Sequence, residues 1–210
     1  REQKLTALRE VLKKEGADYL LTSKLDDIAW IFNLRGSDVP DNPVFYAYSL
    51  IPAKGNATLF INEEKVPADL KEQLAEEGVV LAPYHSVGAA LASLSSGTVL
   101  ANPEEINASL LSRLPEQITQ LELPNPIELM KALKTPEEIE LISEAMLKDG
   151  VALVRFFAWL DRNLGKEEMT EQSLADKLLY FRKSLPGYIS LSFETISAFG
   201  PNAALPHYQP

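Results

Sequence analysis

The sequence predicts an α/β fold of the α+β type, in which a mixed sheet with flanking helices is followed by a region of long helices. Short apolar runs, typical of buried strands, alternate in the first half with stretches whose apolar residues recur every three or four positions. A proline-rich break near residues 123–126 separates this half from two long helical patterns. Together these observations indicate two domains with different architectures.

The first half alternates helix and strand signals. Leu5, Leu8 and Leu12 have helical spacing within a helix predicted over 4–14, and Gly16 ends it. The same pattern predicts further helices over 26–32, 68–76, 87–94 and 108–114, and strands over 19–22, 45–52, 57–61, 79–81, 98–101 and 119–123. Short strands that alternate with helices indicate a mixed sheet covered by helices.

The second half begins after the sequence LPNP at 123–126, because two prolines around an asparagine interrupt both helices and central strands. We therefore predict one domain over 1–126 and a second over 127–210. Thr135 is a predicted N-cap for a helix over 136–164, and a second helix is predicted over 170–183. Near the end, residues 193–196 are predicted as a short strand, followed by a turn at 200–202.

Composition excludes several classes of function. The chain has 210 residues, 46% of them apolar, and a formal net charge of −10. A negative protein repels phosphate backbones and anionic lipid, so we expect no nucleic-acid partner and no membrane partner. The absence of cysteine excludes disulfides and thiolate metal sites and is compatible with a cytoplasmic location.

Three motifs carry a family resemblance. DIAWIFNLRGSD at 27–38, followed by NPVF at 42–45, is very similar to the middle domain of the three-domain Xaa-Pro aminopeptidases (aminopeptidase P). KTPEEIE at 134–140 resembles the entry helix of their pita-bread catalytic domain, and LSFETI at 191–196 with GPN at 200–202 continues that resemblance. The resemblance implies a creatinase N-terminal-like middle domain over 1–126 and the N-terminal part of a pita-bread domain over 127–210.

The same resemblance implies a hydrolase. Members of the family release the N-terminal residue from peptides with proline in the second position, using two divalent metals, usually manganese, held by two Asp, one His and two Glu. Such metals activate a bridging water. None of these five ligands maps onto this sequence, so we assign no catalytic residue and no metal ligand. We expect the 210-residue chain alone to bind no metal and to be inactive, although a homodimer is compatible with the resemblance.

His207 is the candidate substrate-binding residue. It follows the turn at 200–202 on an otherwise apolar run, and it resembles the first of the family's accessory histidines, which hydrogen-bond the substrate. Two other functions remain open: a non-catalytic interaction module built on the same scaffold, and a related prolidase- or creatinase-type hydrolase.

Other polar candidates have structural explanations. His85 is expected to be a surface residue, and Arg35 is expected to tie its turn to a carboxylate such as Asp38. Acidic pairs are expected to cap helices or to face solvent rather than to bind metal; these pairs are Asp26-Asp27, Glu63-Glu64, Glu76-Glu77, Glu104-Glu105, Glu137-Glu138 and Glu167-Glu168.

Overall fold

The computed structural model describes residues 1–210, which separate into two compact units, Arg1–Leu133 and Lys134–Pro210. The first unit contains six strands: β1 (Tyr19–Thr22), β2 (Ala47–Pro52), β3 (Ala57–Ile61), β4 (Val79–Pro83), β5 (Thr98–Leu100) and β6 (Thr119–Leu121). They form one sheet in the order β4-β3-β2-β1-β5-β6. The β1–β2 and β2–β3 pairs are antiparallel and the other three are parallel, so the predicted mixed sheet is confirmed.

Six helices flank this sheet: α1 (Glu2–Glu15), α2 (Leu25–Ile31), α3 (Ala68–Glu76), α4 (Val87–Ala92), α5 (Ala108–Leu111) and α6 (Pro126–Ala132). Successive strand residues point to opposite faces of a sheet. Leu20 of β1 packs in the cluster that contains the buried leucines of α1, whereas Leu21 packs in the cluster that contains Val87 and Leu91 of α4. Apolar clusters therefore cover both faces of the sheet.

Helix α6 was not predicted from the sequence. Pro126, which we interpreted as a break, occupies the first turn of this helix, where a missing N–H costs no hydrogen bond. Asn125 is the N-cap and accepts a hydrogen bond from the backbone N–H of Ile127 at 3.1 Å. Because α6 packs on α1 and α2, the units divide between Leu133 and Lys134, whereas the sequence places the boundary after Pro126. The assignment of these units to the two predicted domains stays a prediction.

The second unit is built on two helices, α7 (Pro136–Asn163) and α8 (Glu171–Lys183). Both begin with a reciprocal capping box, formed by Thr135 with Glu138 and by Thr170 with Ser173. These boxes satisfy backbone N–H groups that have no partner within the helix. The Arg182 guanidinium donates to Asp149 at 2.7 and 3.3 Å, which ties α8 to α7.

The predicted strand over 193–196 is wrong. These residues are irregular, and Phe193 and Ile196 are 69% and 58% exposed. A strand needs a neighbouring strand to satisfy its backbone groups, and the second unit contains none. The predicted turn at 200–202 lies at the start of a 3₁₀ turn over Gly200–Ala204.

Candidate functional site

The candidate site centres on His207, which lies on an irregular segment after the 3₁₀ turn of the second unit. His207 is exposed, and its backbone is in the left-handed region with φ of 58°. Few residues other than glycine adopt this conformation, although histidine, asparagine and aspartate do so more often than most. Such geometry persists only where neighbouring contacts hold it.

Glu171, the first residue of α8, contacts residues on both sides of His207 in the sequence. Its carboxylate accepts a hydrogen bond from the Tyr208 hydroxyl at 2.6 Å and from the Phe199 backbone N–H at 2.6 Å. The Asn202 amide nitrogen lies 3.1 and 3.0 Å from the two carboxylate oxygens and also donates to the Tyr208 hydroxyl oxygen at 3.0 Å. We call these residues, Glu171, Phe199, Asn202 and Tyr208, the Glu171 clamp.

The hydrogen bonds of the Glu171 clamp shift the pKa values of Glu171 and Tyr208. The hydrogen bond from the Tyr208 hydroxyl, followed by that from the Phe199 N–H, lowers the pKa of Glu171, because both favour its ionised form. The hydrogen bond to Glu171 in turn raises the pKa of Tyr208. The carboxylate is therefore ionised and the phenol is neutral at physiological pH, which are the states that this hydrogen bond requires.

Sequence reasoning missed the clamp. Glu171 follows the Thr170 cap, where an acidic residue is explained by the helix dipole alone. Its partners Asn202 and Tyr208 lie 31 and 37 residues further along the chain, and no spacing rule connects residues that far apart. The motif GPN could be recognised in the sequence, but the contact between its asparagine and the Glu171 carboxylate could not.

A second surface of interest lies in the first unit. A pocket of about 780 Å³ opens beside the ends of β3 and β4, and its lining includes Tyr46, Glu64, Tyr84 and His85. The Tyr84 ring lies 5.1 Å from the Tyr48 ring and meets the exposed His85 ring edge-on at 5.2 Å. Burial, assisted by the hydrogen bond with Tyr48, raises the pKa of Tyr84 to about 12.

Arg35 does not tie its turn to Asp38. Arg35 is exposed, and Asp38 instead accepts hydrogen bonds from the Tyr46 backbone N–H at 2.8 Å and from the Lys65 ammonium at 2.6 Å. These two bonds, with the one from Lys65 contributing most, lower the pKa of Asp38. The turn is therefore anchored to the segment after β3, a contact that local sequence could not indicate.

The acidic pairs form no metal site. No three histidine, aspartate or glutamate side chains of residues 1–210 are grouped so that they could hold an ion. Glu138 accepts the Thr135 N–H at 2.8 Å as a helix cap. Asp27 differs from the predicted capping or solvated role, since it is fully buried and hydrogen-bonded to Asn125 at 2.9 Å and to Lys131 at 2.6 Å. The side chains present therefore do not fit a dinuclear metal centre on this chain.

No helix of the chain meets the length and hydropathy needed to cross a bilayer.

Comparisons with known proteins agree with this fold. The model of the Creatinase/Prolidase N-terminal domain matches residues 1–138, and that of metallopeptidase family M24 matches residues 140–210. A probable Xaa-Pro aminopeptidase P of Sordaria macrospora is 37% identical over 99% of this chain and 36% of its own length. Xaa-Pro aminopeptidase 1 of Dictyostelium discoideum is 37% identical over 99% of this chain and 34% of its own.

Solved structures give the same result. The X-prolyl aminopeptidase of Caenorhabditis elegans, described as a cytosolic enzyme with a di-nuclear active site, superimposes with a TM-score of 0.91 at 33% identity. The match covers 100% of this chain and 35% of the nematode chain. A prolidase of Thermococcus sibiricus shares the fold alone, at 22% identity and a TM-score of 0.68 over 98% of this chain and 56% of its own.

Residues 1–138 thus have the fold of a creatinase/prolidase N-terminal domain. The chain belongs to the family of the creatinase/prolidase N-terminal domain, and its last third continues into metallopeptidase family M24. The predicted family resemblance is confirmed. The chain spans about a third of the length of the relatives that it matches.

Proposed function

We propose that this chain is part of a metal-dependent aminopeptidase that releases the N-terminal residue from peptides with proline in the second position. The observation that carries the proposal is similarity across both units: a probable Xaa-Pro aminopeptidase P is 37% identical over 99% of the chain, and the nematode X-prolyl aminopeptidase superimposes with a TM-score of 0.91. The prolidase of Thermococcus sibiricus reaches 22% identity and a TM-score of 0.68, which argues against a prolidase.

Within this enzyme we assign His207 to the substrate site. A peptide bond before proline has no N–H, because the proline nitrogen carries the ring. Recognition therefore depends on donors aimed at carbonyl oxygens, and an imidazole N–H held in place is such a donor. His207 is exposed on a segment whose flanking residue Tyr208 is fixed by Glu171, which supports this role.

The enzyme would use two divalent metals, with manganese as the proposed ion. Support comes from the M24 match and from the di-nuclear active site of the nematode enzyme. Hard oxygen ligands suit manganese. Since residues 1–210 gather no such ligand set, we assign the ligands to the remainder of the enzyme and no metal-dependent step to this chain. A cytoplasmic location and a homodimeric assembly are further proposals, the first supported by the cytosolic nematode enzyme.

The test uses the complete protein that contains this chain, purified without metal and then supplied with manganese. We expect release of the first residue from a Xaa-Pro-Xaa peptide and much slower release from the matched Xaa-Ala-Xaa peptide. The 210-residue chain is the control and should release nothing from either peptide. Cleavage of a Xaa-Pro dipeptide but of neither tripeptide would favour a prolidase, and cleavage of none of these three peptides by the metal-loaded protein would favour the interaction module.

A further inference from the structure

We propose that Glu171 is a positioning residue for His207, and that it acts by closing the segment 199–208 onto the start of α8. The inference rests on the proposed substrate-binding role of His207. Glu171 is far from His207 in the sequence. It is linked to His207 only through the neighbouring residue Tyr208, whose hydroxyl donates to its carboxylate.

The contacts of Glu171 require a carboxylate. The two oxygens of Glu171 face three donors, namely the Phe199 N–H, the Asn202 amide and the Tyr208 hydroxyl. Only a group that accepts on both oxygens satisfies all of them. Glutamine has nearly the same shape, but its NH₂ group would replace one accepting oxygen and would face a hydrogen-bond donor. The site is therefore specific for an ionised carboxylate.

The partners of Glu171 lie at both ends of the segment that carries His207. Phe199 lies just before the 3₁₀ turn over Gly200–Ala204, and Tyr208 lies four residues after it. One carboxylate therefore holds both ends of a short loop that carries His207. Fixing both ends removes much of the conformational freedom of such a loop.

The backbone of His207 has an unfavourable conformation. A φ of 58° is unfavourable for a residue with a Cβ atom unless its neighbours fix it. Tyr208, the next residue, is fixed through its hydroxyl, which both donates to Glu171 and accepts from Asn202. We infer that the clamp holds the imidazole in the orientation in which it meets the substrate.

The competing explanation is that Glu171 only stabilises the N-terminus of α8 through the helix dipole. A substitution at Tyr208 separates the two explanations. Tyr208→Phe breaks the clamp and leaves every charge at the helix start in place, so a purely dipolar role predicts no effect on His207. The Glu168→Gln variant is the matched control, since Glu168 is exposed, lies three residues before Glu171 and makes no side-chain hydrogen bond or ion pair in the structure.

The kinetic experiment uses the complete enzyme with manganese and a Xaa-Pro-Xaa peptide. Misplacing a group by about 1 Å can reduce a rate by roughly a hundredfold. We expect Glu171→Gln and Tyr208→Phe each to reduce kcat by about tenfold or more, with little change in KM, because the histidine's hydrogen bond matters most in the transition state. Glu168→Gln should match the wild type. Wild-type rates in both clamp variants would overturn the proposal.

The second measurement does not need activity and uses the 210-residue chain. The sequence has two histidines, so the NMR signals of His207 can be assigned with His85 of the first unit as an internal reference. The order parameter of the His207 amide should be near 0.85 in the wild type and below about 0.6 in both clamp variants, the range of flexible backbone. An unchanged order parameter for His207 in both variants would overturn the proposal. If the order parameter falls in both variants as expected but the complete wild-type enzyme is inactive, the result counts only against the proposed function.

Discussion

The ammonium group of Lys131 lies 2.6 Å from the carboxylate of Asp27, whose side chain is fully buried. Lys131 belongs to α6 and Asp27 to α2, so this ion pair joins two helices of the first unit across 104 residues of sequence. The other oxygen of Asp27 accepts a hydrogen bond from Asn125, which also donates to Thr22 at 3.2 Å. This buried polar cluster explains why α6 packs with the first unit.

Replacing Lys131 with methionine should strongly destabilise the first unit. Removing one partner of a buried ion pair typically costs about 3–5 kcal/mol, because the other charge remains buried. Asp27 keeps its bond from Asn125, so we expect a loss in free energy of unfolding of about 3 kcal/mol. Urea titration in a Trp159→Phe background measures it, since Trp30 then reports on the first unit alone.

Asp26→Asn is the matched control for that variant. Asp26 also pairs with Lys131, but its side chain is 57% exposed. Exposed ion pairs contribute roughly 0–1 kcal/mol. A loss in Asp26→Asn as large as that in Lys131→Met would contradict the special role of the buried carboxylate.

The ion pair between Asp26 and Lys131 predicts how the free energy of unfolding depends on pH. Partial burial on its own would raise the pKa of Asp26, but the hydrogen bond and the charge of Lys131 outweigh it and hold the pKa below its ordinary value of 3.8. A carboxyl whose pKa is lowered by folding adds stability above its unfolded-state pKa and loses this contribution as pH falls through the folded-state pKa. The free energy of unfolding of the wild type should therefore fall more steeply below about pH 4 than that of Asp26→Asn. Urea titrations at a series of pH values measure this difference, and parallel curves would contradict it.

Local signals in the sequence were sufficient for most elements. The helix predicted over 68–76 has those bounds in the structure, and the Thr135 cap forms its predicted capping box. These features depend on residues within one helical turn of each other, and the strands of the first unit depend on apolar runs that are equally local. The fold class could therefore be predicted from these local patterns, whereas the family was predicted from the resemblance of three motifs, 27–45, 134–140 and 191–202.

Features that depend on distant partners could not be predicted. The strand predicted over 193–196 fails because its apolar pattern says nothing about whether a neighbouring strand exists. Asp38 pairs with Lys65 rather than Arg35, and Glu171 binds Tyr208, because tertiary packing selects among many available charges and donors. His207 was identified through the family resemblance, and the carboxylate that holds its segment only through the structure.

Tyr84 provides a prediction for the pocket of the first unit. Its pKa is raised to about 12, first by burial and then by the hydrogen bond and charge of Tyr48, since all of these disfavour the phenolate. We expect Tyr48→Phe to move the pKa of Tyr84 from about 12 toward 10. An NMR titration of the Tyr84 ring measures this shift, and an unchanged pKa in the variant would show that Tyr48 does not contribute to it.

The apolar face of α7 predicts self-association of the 210-residue chain. In a catalytic domain of which only the first part is present, we expect an uncovered apolar helix face near Phe156, Phe157 and Trp159. In the structure Phe157 is 58% exposed, whereas Phe156 is half-buried and the Trp159 ring is partly covered by the Lys177 ammonium at 4.7 Å. Other exposed apolar side chains of the helix are Ile139, Leu141, Ile142, Met146, Leu147, Val151 and Val154. A strand over 193–196 would also have left an open edge that favours association, but these residues form no strand, so the prediction depends on the helix alone.

Extensive exposed apolar surface marks interaction sites or leads to aggregation. We expect the mass measured by light scattering to rise above 23.3 kDa with concentration. The double variant Leu147→Glu/Phe157→Glu should shift the chain toward the monomer, because both side chains are more than half exposed and a buried charge opposes association. Arg155→Glu is the control, since it adds negative charge at an exposed polar position of the same helix. A wild-type mass of one chain across a wide concentration range would contradict the prediction, and equal dissociation in the Arg155→Glu control would attribute the effect to net charge rather than to the apolar face.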